Sequence, residues 1–358
     1  MKICIILGTR PEIIKMSPII RNAKKLALSY FILHTNQHYL ENLDKIFFDE
    51  LKLPMPKYNL KIGSGTHAEQ TGKALMGIEK ILVRENPDIV LVEGDTNTVL
   101  AGALVAVKLH IKVGHVEAGL RSYFRKMPEE INRILTDHCS DYLFVPTQKE
   151  KTILLNEGIP LKKIFVVGNT IVDAVKQNLE VAREGSMILR ELNLEKGEYF
   201  LVTVHRQENT DEKKRLLGIL NGLSLISEKF NLPVIFPIHP RTYKQIKKIG
   251  LKISEKLRLV EPIGFLDFLQ LEANAKLILT DSGGVQEEAC ILKIPCLTLR
   301  DNTERPETIK IGANILAGTE SDKILRLADK IMKKSDCWEN PFGDGKSAEK
   351  ILNILRQK

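Results

Sequence analysis

The feature that most constrains this chain is a rhythm. Short apolar runs alternate with amphipathic stretches of helical period, and halfway along the chain the alternation starts again. Lys2–Leu7, Phe31–Thr35, Ile89–Glu93, Val113–Glu117, Tyr142–Val145 and Ile164–Val167 read as strands. Between them Pro11–Leu28, Thr66–Asn86, Val99–Leu109 and Pro128–Cys139 read as helices. The second series has strands at Tyr199–Val204, Val234–Ile238, Leu257–Val260, Leu277–Thr280 and Cys296–Thr298, with a helix over Asp211–Phe230. Strands that alternate with helices pair in parallel, and the helices cover both faces of the sheet.

The length of 358 residues agrees with two domains, because a single core stops growing near ~250–300 residues. The expected fold is α/β, two open parallel-sheet domains in tandem with a crevice between them. Residues 1–168 form the first domain and residues 169–345 the second, and an amphipathic helix closes the chain. A charged helical stretch, Asn178–Gly197, is expected to separate the two strand series. Open α/β sheets bind ligands outside the carboxyl ends of their strands, so the functional residues are sought there.

Composition narrows the function. The formal charge is +8, but the lysines are spread among Asp and Glu and form no basic stripe with interleaved aromatics. A solvated basic surface is the expectation, with no nucleic-acid partner. No apolar stretch approaches the ~20 residues that cross a bilayer, and the start shows no secretory signal, so a cytoplasmic protein without a membrane partner is expected. Five scattered cysteines with no CxxC pair read as reduced thiols. Neither GxGxxG nor GxxxxGK[ST] occurs, nor HExxH, so no nicotinamide, no bound metal and no other cofactor is expected.

Segments at predicted strand ends and helix starts carry the chemistry. Gly8-Thr9-Arg10-Pro11-Glu12 leaves the first strand and opens a helix, with Lys15 one turn on. It is either an ordinary βα turn or an anion cradle of free N–H groups at a helix start. Asp281-Ser282-Gly283-Gly284 repeats that geometry in the second series. Glu288 follows in the next helix, either favoured by the helix dipole or accepting from sugar hydroxyls. Asp95 and Glu117 end neighbouring strands, and Glu129 opens the helix after them. Carboxylates brought together there would raise one another's pKa, which suits acid–base work, although Glu129 also fits simple helix-start pairing. His205 ends the first strand of the second series among charged neighbours. His239 and Arg241 end another strand of that series.

Taken together, the segments GTRPEIIKMSP, Gln37–His38, VEGDTNTVLAGALVA, VGHVEAGLRS, PEEINR, VGNTIVD, VTVHRQEN, TDSGGVQEEA and RDNTERPE resemble the non-hydrolysing UDP-N-acetylglucosamine 2-epimerases, in the family's order from Gly8 to Glu307. The resemblance implies two Rossmann-like domains facing across a cleft, the architecture of B-type glycosyltransferases, with the C-terminal helix at 346–358 joined to the first domain, and a homodimer. It also implies UDP-N-acetylglucosamine and UDP as ligands, with UDP held mostly by the second domain. By motif it implies catalytic roles for Asp95, Glu117, Glu129 and His205. Arg10, Lys15, Phe268, Ser282, Gly283, Gly284, Glu288 and Arg305 match binding positions, alongside Asp95, Glu117 and His205. Gln37, His38, His239 and Arg241 match a possible second, allosteric nucleotide-sugar site. There the family pattern is incomplete, because Tyr39 and Leu40 follow His38 and Thr66–Glu69 supplies no arginine. Ile263 stands where some bacterial members carry Gln, so that side chain's role does not transfer. The implied reaction is reversible inversion at C2 of the nucleotide sugar through 2-acetamidoglucal, supplying cell-surface glycan precursors. The hydrolysing relative, which releases free N-acetylmannosamine, is the alternative.

Overall fold

The structure of the chain, a computed structural model, describes residues 1–37, 47–249, 255–333 and 337–357. The chain divides into two compact units. One comprises Met1–Gln177 and Phe342–Lys358, the other Asn178–Pro341. The division falls inside the helix Thr170–Gly185, not at residue 168. The first half of that helix belongs to the first unit, where buried Asp173 accepts the Ser347 and Ala348 N–H groups at 3.2 and 3.0 Å. The expected charged separator is therefore no single helix: Thr170–Gly185 ends and a short helix, Ile188–Glu191, follows.

The first unit is built on a parallel sheet of β1 (Lys2–Leu7), β2 (Ser29–His34), β3 (Tyr58–Asn59), β4 (Ile89–Glu93), β5 (Lys112–Val116), β6 (Tyr142–Val145) and β7 (Ile164–Val166). Their spatial order is β3-β2-β1-β4-β5-β6-β7. Ile3–Leu7 is wholly buried, and Cys4 and Ile6 join Phe31, Leu33, Val90 and Val92 in one core cluster. Such a run lies in a sheet covered on both faces, which is why it shows no polar alternation. Gly114 on β5 keeps the sheet's packing close. A Cβ there would lie 2.6 Å from the Leu91 side chain and 3.1 Å from the Phe144 ring.

The second unit repeats the plan with β8 (Phe200–Thr203), β9 (Val234–Pro237), β10 (Leu257–Val260), β11 (Leu277–Thr280), β12 (Cys296–Thr298) and β13 (Asn314–Leu316), ordered β10-β9-β8-β11-β12-β13. All described pairings in both sheets are parallel. In each order the chain runs outward from a central strand and then returns to its other side. The reversal lies between β1 and β4 in the first unit and between β8 and β11 in the second. At such a point the crossover helices leave to opposite faces, and the carboxyl ends of the two central strands stay uncovered. Among the described residues no helix is long and apolar enough to cross a membrane.

Candidate active site

Each reversal point carries a cluster of charged side chains, and they differ in construction. In the first unit, β1 runs into Gly8, where a Cβ would collide with the hydroxyls of Thr98 and Thr35. The helix Arg10–Lys25 begins at once, with Pro11 in its first turn, a position where the ring's missing N–H costs nothing. The Gly8 N–H, expected to be open to an anion, is occupied. Glu12 folds back to accept it at 2.6 Å and accepts the Thr9 hydroxyl at 3.1 Å. Burial raises the Glu12 carboxyl to about 7, against the hydrogen bonds from Thr96, Gly8 and Thr9.

One turn on, Lys15 reaches across the sheet ends. Its Nζ lies 3.1 Å from Glu93 Oε1 and 2.7 and 2.6 Å from the two Glu117 oxygens. Glu93 is the last residue of β4 and is 2% exposed. Burial pushes its carboxyl well above the ordinary range, Lys15 opposes that, and Glu117 and Glu12 add to it. Glu117 follows β5 at φ +66°, a left-handed conformation uncommon for this residue. Asn169 donates to Glu117 Oε2 at 3.1 Å. Asp95 pairs with Arg133 of the helix Pro128–Cys139, whose Asn132 Nδ2 donates to the Asp95 carbonyl at 2.9 Å. Behind these loops the buried His115 ring bridges the Asp137 carboxylate at 2.7 Å and the Gly94 carbonyl at 2.8 Å. Asp137 also pairs with Arg121 at 2.7 Å. The loops that carry Asp95 and Glu117 are thus tied to one buried network.

The structure brings Lys15 and Glu117 together and places Asp95 at the end of the adjacent strand, paired with Arg133, while Glu129 stands apart. Glu129 is exposed in the first turn of the helix Pro128–Cys139 and, among the described residues, forms no hydrogen bond or ion pair. Its neighbour Glu130 is the buried one. It accepts the Ser122 and Tyr123 N–H groups at 2.9 and 2.8 Å and pairs with Arg133 at 3.0 Å. Burial alone would raise the Glu130 carboxyl, and these donors hold it below the ordinary range. Arg10 is exposed, its guanidinium 5.8 Å from the Phe47 ring centre.

In the second unit the organising residue is Asp281, directly after β11 and wholly buried. It accepts the His205 N–H at 3.1 Å, the Arg206 N–H at 2.9 Å and Asn209 Nδ2 at 3.1 Å. Its Oδ1 lies 3.0 Å from His205 Nδ1. Burial works against the ionised form, but these partners hold the Asp281 carboxyl below its usual range. The imidazole is therefore anchored through Nδ1, while the side chain stays 46% exposed. Ser282 stands at the N-cap position of the helix Gly283–Leu292, and its hydroxyl makes no capping hydrogen bond. A Cβ added at Gly283 would meet nothing within 4 Å, and at Gly284 only the Ser282 hydroxyl at 4.0 Å. The fold itself does not demand these two glycines. Glu288 is nearly buried in the same helix. Phe268 packs partly buried against the core, and Arg305 pairs with Glu287 at 2.5 Å.

The possible allosteric residues are scattered in role. The Gln37 amide is buried and used internally: its oxygen accepts from Thr98 Oγ1 at 2.8 Å, and its Nε2 donates to Gln70 Oε1 at 3.4 Å. His38 lies outside the described residues. His239 is exposed, and Arg241 pairs with Asp211 at 2.5 Å. Among the described residues no group of three or more His, Cys, Asp or Glu side chains is placed to hold a metal.

Comparison with known proteins adds to this geometry. The profile of the UDP-N-acetylglucosamine 2-epimerase family matches residues 21–356. A UDP-N-acetylglucosamine 2-epimerase of Methanocaldococcus jannaschii is 60% identical over 361 residues, covering 99% of each chain. A crystal structure of the UDP-GlcNAc 2-epimerase of that organism in complex with UDP-GlcNAc and UDP aligns over 100% of both chains at a TM-score of 0.85 and 60% identity. The Neisseria meningitidis UDP-GlcNAc 2-epimerase bound to UDP-GlcNAc aligns over 100% of both chains at a TM-score of 0.87 and 33% identity.

Proposed function

The chain belongs to the UDP-N-acetylglucosamine 2-epimerase family, and from that premise we propose that it reversibly converts UDP-N-acetylglucosamine to UDP-N-acetylmannosamine without net hydrolysis. The observation that supports this chemistry most directly is the Lys15–Glu93–Glu117 cluster at the β1/β4 reversal, with Asp95 on the adjoining loop. Carboxyl groups of unequal proton affinity in one place can take a proton at one stage and return it at another.

The C2 hydrogen of the sugar has no carbonyl beside it, so a side-chain carboxylate cannot remove it directly at a useful rate. Breaking the anomeric C–O bond gives C1 oxocarbenium character and makes C2–H acidic. The C2 proton passes to a carboxylate, the C–H electron pair forms the C1–C2 double bond, and UDP departs with the anomeric bonding pair. The intermediate is 2-acetamidoglucal. Protonation at C2 from the opposite face and attack of the UDP oxygen on C1 complete the inversion. In this reading Asp95, Glu117 and Glu129 supply the carboxylates. Arg10 and Lys15 add positive charge, and His205 faces the diphosphate from its Asp281 anchor. The Ser282–Gly284 turn, free of side-chain bulk, lets a phosphate approach backbone N–H groups at a helix start. Phe268 and Arg305 line the nucleotide side, and Glu288 accepts from the nucleotide's sugar hydroxyls. The product serves as a precursor for cell-surface glycans.

The test is proton NMR of UDP-N-acetylglucosamine incubated with the protein in heavy water. The expected outcome is UDP-N-acetylmannosamine carrying deuterium at C2, with UDP and 2-acetamidoglucal accumulating slowly. Free N-acetylmannosamine formed in step with UDP would overturn the non-hydrolysing assignment, and retention of the original proton would overturn the elimination route.

A further inference from the structure

One ionisable side chain of the second unit has no part in the chemistry above. Glu272, on the helix Phe265–Asn274, is 0% exposed. It borders the core that holds Tyr199, Leu271, Ala275, Ala289 and Cys296. The Tyr199 hydroxyl does not serve it, because that hydroxyl donates to the Leu271 carbonyl at 2.6 Å. Among the described residues neither Glu272 oxygen has a partner of ordinary hydrogen-bond geometry. The helix Gly283–Leu292 packs against this one, and its Glu288 carboxyl is the polar group that acts on Glu272 most directly. Glu288, 9% exposed, is the member of the pair that still meets the surface.

Two ionised carboxylates cannot occupy such a site, because burial and mutual repulsion both favour a proton on one of them. Burial, and then the Glu288 charge, push Glu272 well above the ordinary range. Burial also raises Glu288, to about 7, with Glu287 adding and the hydrogen bond from Glu272 opposing. Tyr199 and Cys296, the other titratable groups that face Glu272, are likewise pushed up by burial, and so stay neutral. A buried acid with no other partner costs stability, and a leucine would serve the core better.

We infer that Glu272 is a positioning residue: it keeps its proton, donates it to Glu288, and so holds the Glu288 carboxylate ionised and aimed to accept both hydroxyls of a vicinal diol, the ribose of the bound nucleotide. This rests on the reading of Glu288 as a sugar-hydroxyl acceptor. A carboxylate that receives one hydrogen bond from a neutral acid has a fixed orientation and lone pairs left for two more.

Isothermal titration of the full-length chain with UDP and with 2′,3′-dideoxy-UDP tests it. The wild type binds UDP at least ~10-fold more tightly than the analogue, the scale of a charge-assisted hydrogen bond. Glu272→Gln, which keeps a donor, retains that ratio. Glu272→Leu narrows it to within ~3-fold by weakening UDP alone, on the same scale. Glu272→Met provides the same comparison should the leucine variant not fold. A leucine or methionine variant with the wild-type ratio, or one that weakens both ligands equally, overturns the inference, as does a glutamine variant that loses the ratio. Wild-type protein that binds both ligands equally sinks the Glu288 reading beneath it. Wild-type protein that binds neither sinks the nucleotide-sugar function itself.

Discussion

The two sheets reverse their strand order in the same way, yet the clusters at the two reversals neutralise buried acid differently. In the first unit the answer is mostly ionic: Lys15 serves Glu93 and Glu117, Arg133 serves Asp95 and Glu130, and Glu12 alone relies on the Gly8 and Thr9 donors and on a raised proton affinity. In the second it is dipolar and protonic. Asp281 is met by backbone N–H groups, Asn209 and His205, and Glu272 by its own proton. A cation fixed among carboxylates suits a place where protons move. Backbone N–H groups, Asn209 and His205 Nδ1 gathered on a buried aspartate leave the rest of an exposed imidazole and an open glycine turn for an anion. The shared topology supplies a position; the side chains decide what chemistry happens there.

Three experiments would break or sharpen this contrast. The largest effect is expected at Lys15. Lys15→Met strands Glu93 and Glu117 beside each other, so turnover should fall at least ~10²-fold and stability by about 3–5 kcal/mol, the cost of breaking a buried pair. Adding Glu93→Gln should restore most of the stability and none of the turnover. Denaturant melts and initial rates of both variants check this, and unaltered stability in the single variant would refute the ionic account.

A smaller effect is expected at Asp281. Asp281→Asn replaces an acceptor of several N–H groups by a side chain that presents N–H donors of its own. UDP affinity should drop roughly 10-fold and stability by about 1–3 kcal/mol. The pH dependence has a definite sign. A carboxyl held below its ordinary 3.8 contributes stability that is present above 3.8 and lost as pH falls through the lower folded value. The variant should therefore lose acid sensitivity below about pH 4 in melts followed by circular dichroism.

The smallest effect runs the other way. Glu12 rises from an ordinary 4.5 to about 7, so its contribution is complete below 4.5 and is lost as pH climbs through 7. One such proton gives a slope of at most about 1.4 kcal/mol per pH unit. Glu12→Gln should flatten stability between pH 5 and 8. An unchanged slope in denaturant titrations at those pH values would show that Glu12 is ionised in the fold.

Much of this was legible in the sequence, and the rest was hidden for identifiable reasons. Continuous apolar runs such as Ile3–Leu7 announce buried parallel strands, and the glycines at 8, 283 and 284 mark the turns that follow. β3 and β13, of two and three residues, carry too few side chains for any period to appear. Glu117 was expected to end its strand, but the strand stops at Val116, because a left-handed φ is a tertiary outcome that no local pattern encodes. Glu12 and Glu93 sit inside recognisable motifs, and their burial could have been inferred from the apolar residues beside them. That Glu130 turns inward while Glu129 faces out depends on which side of a helix meets the loop at Ser122 and Tyr123. Glu272 gave no signal, since an acid in an amphipathic helix ordinarily reads as solvent-facing.

The path of the chain has a consequence for how the protein is made. Asp173 waits for the N–H groups of Ser347 and Ala348, and the helix Ser347–Arg356 packs on Arg10–Lys25. All of Asn178–Pro341 is translated between these partners. On the ribosome, then, the unit whose synthesis starts first is completed last. While the second sheet emerges and can close on its own core, the first carries an unanswered buried aspartate and a bare apolar strip on its opening helix. Residues 342–358 act as a clasp, and a nascent chain stalled before them would hold a finished second unit and an unfinished first, a distinct target for chaperones and proteases.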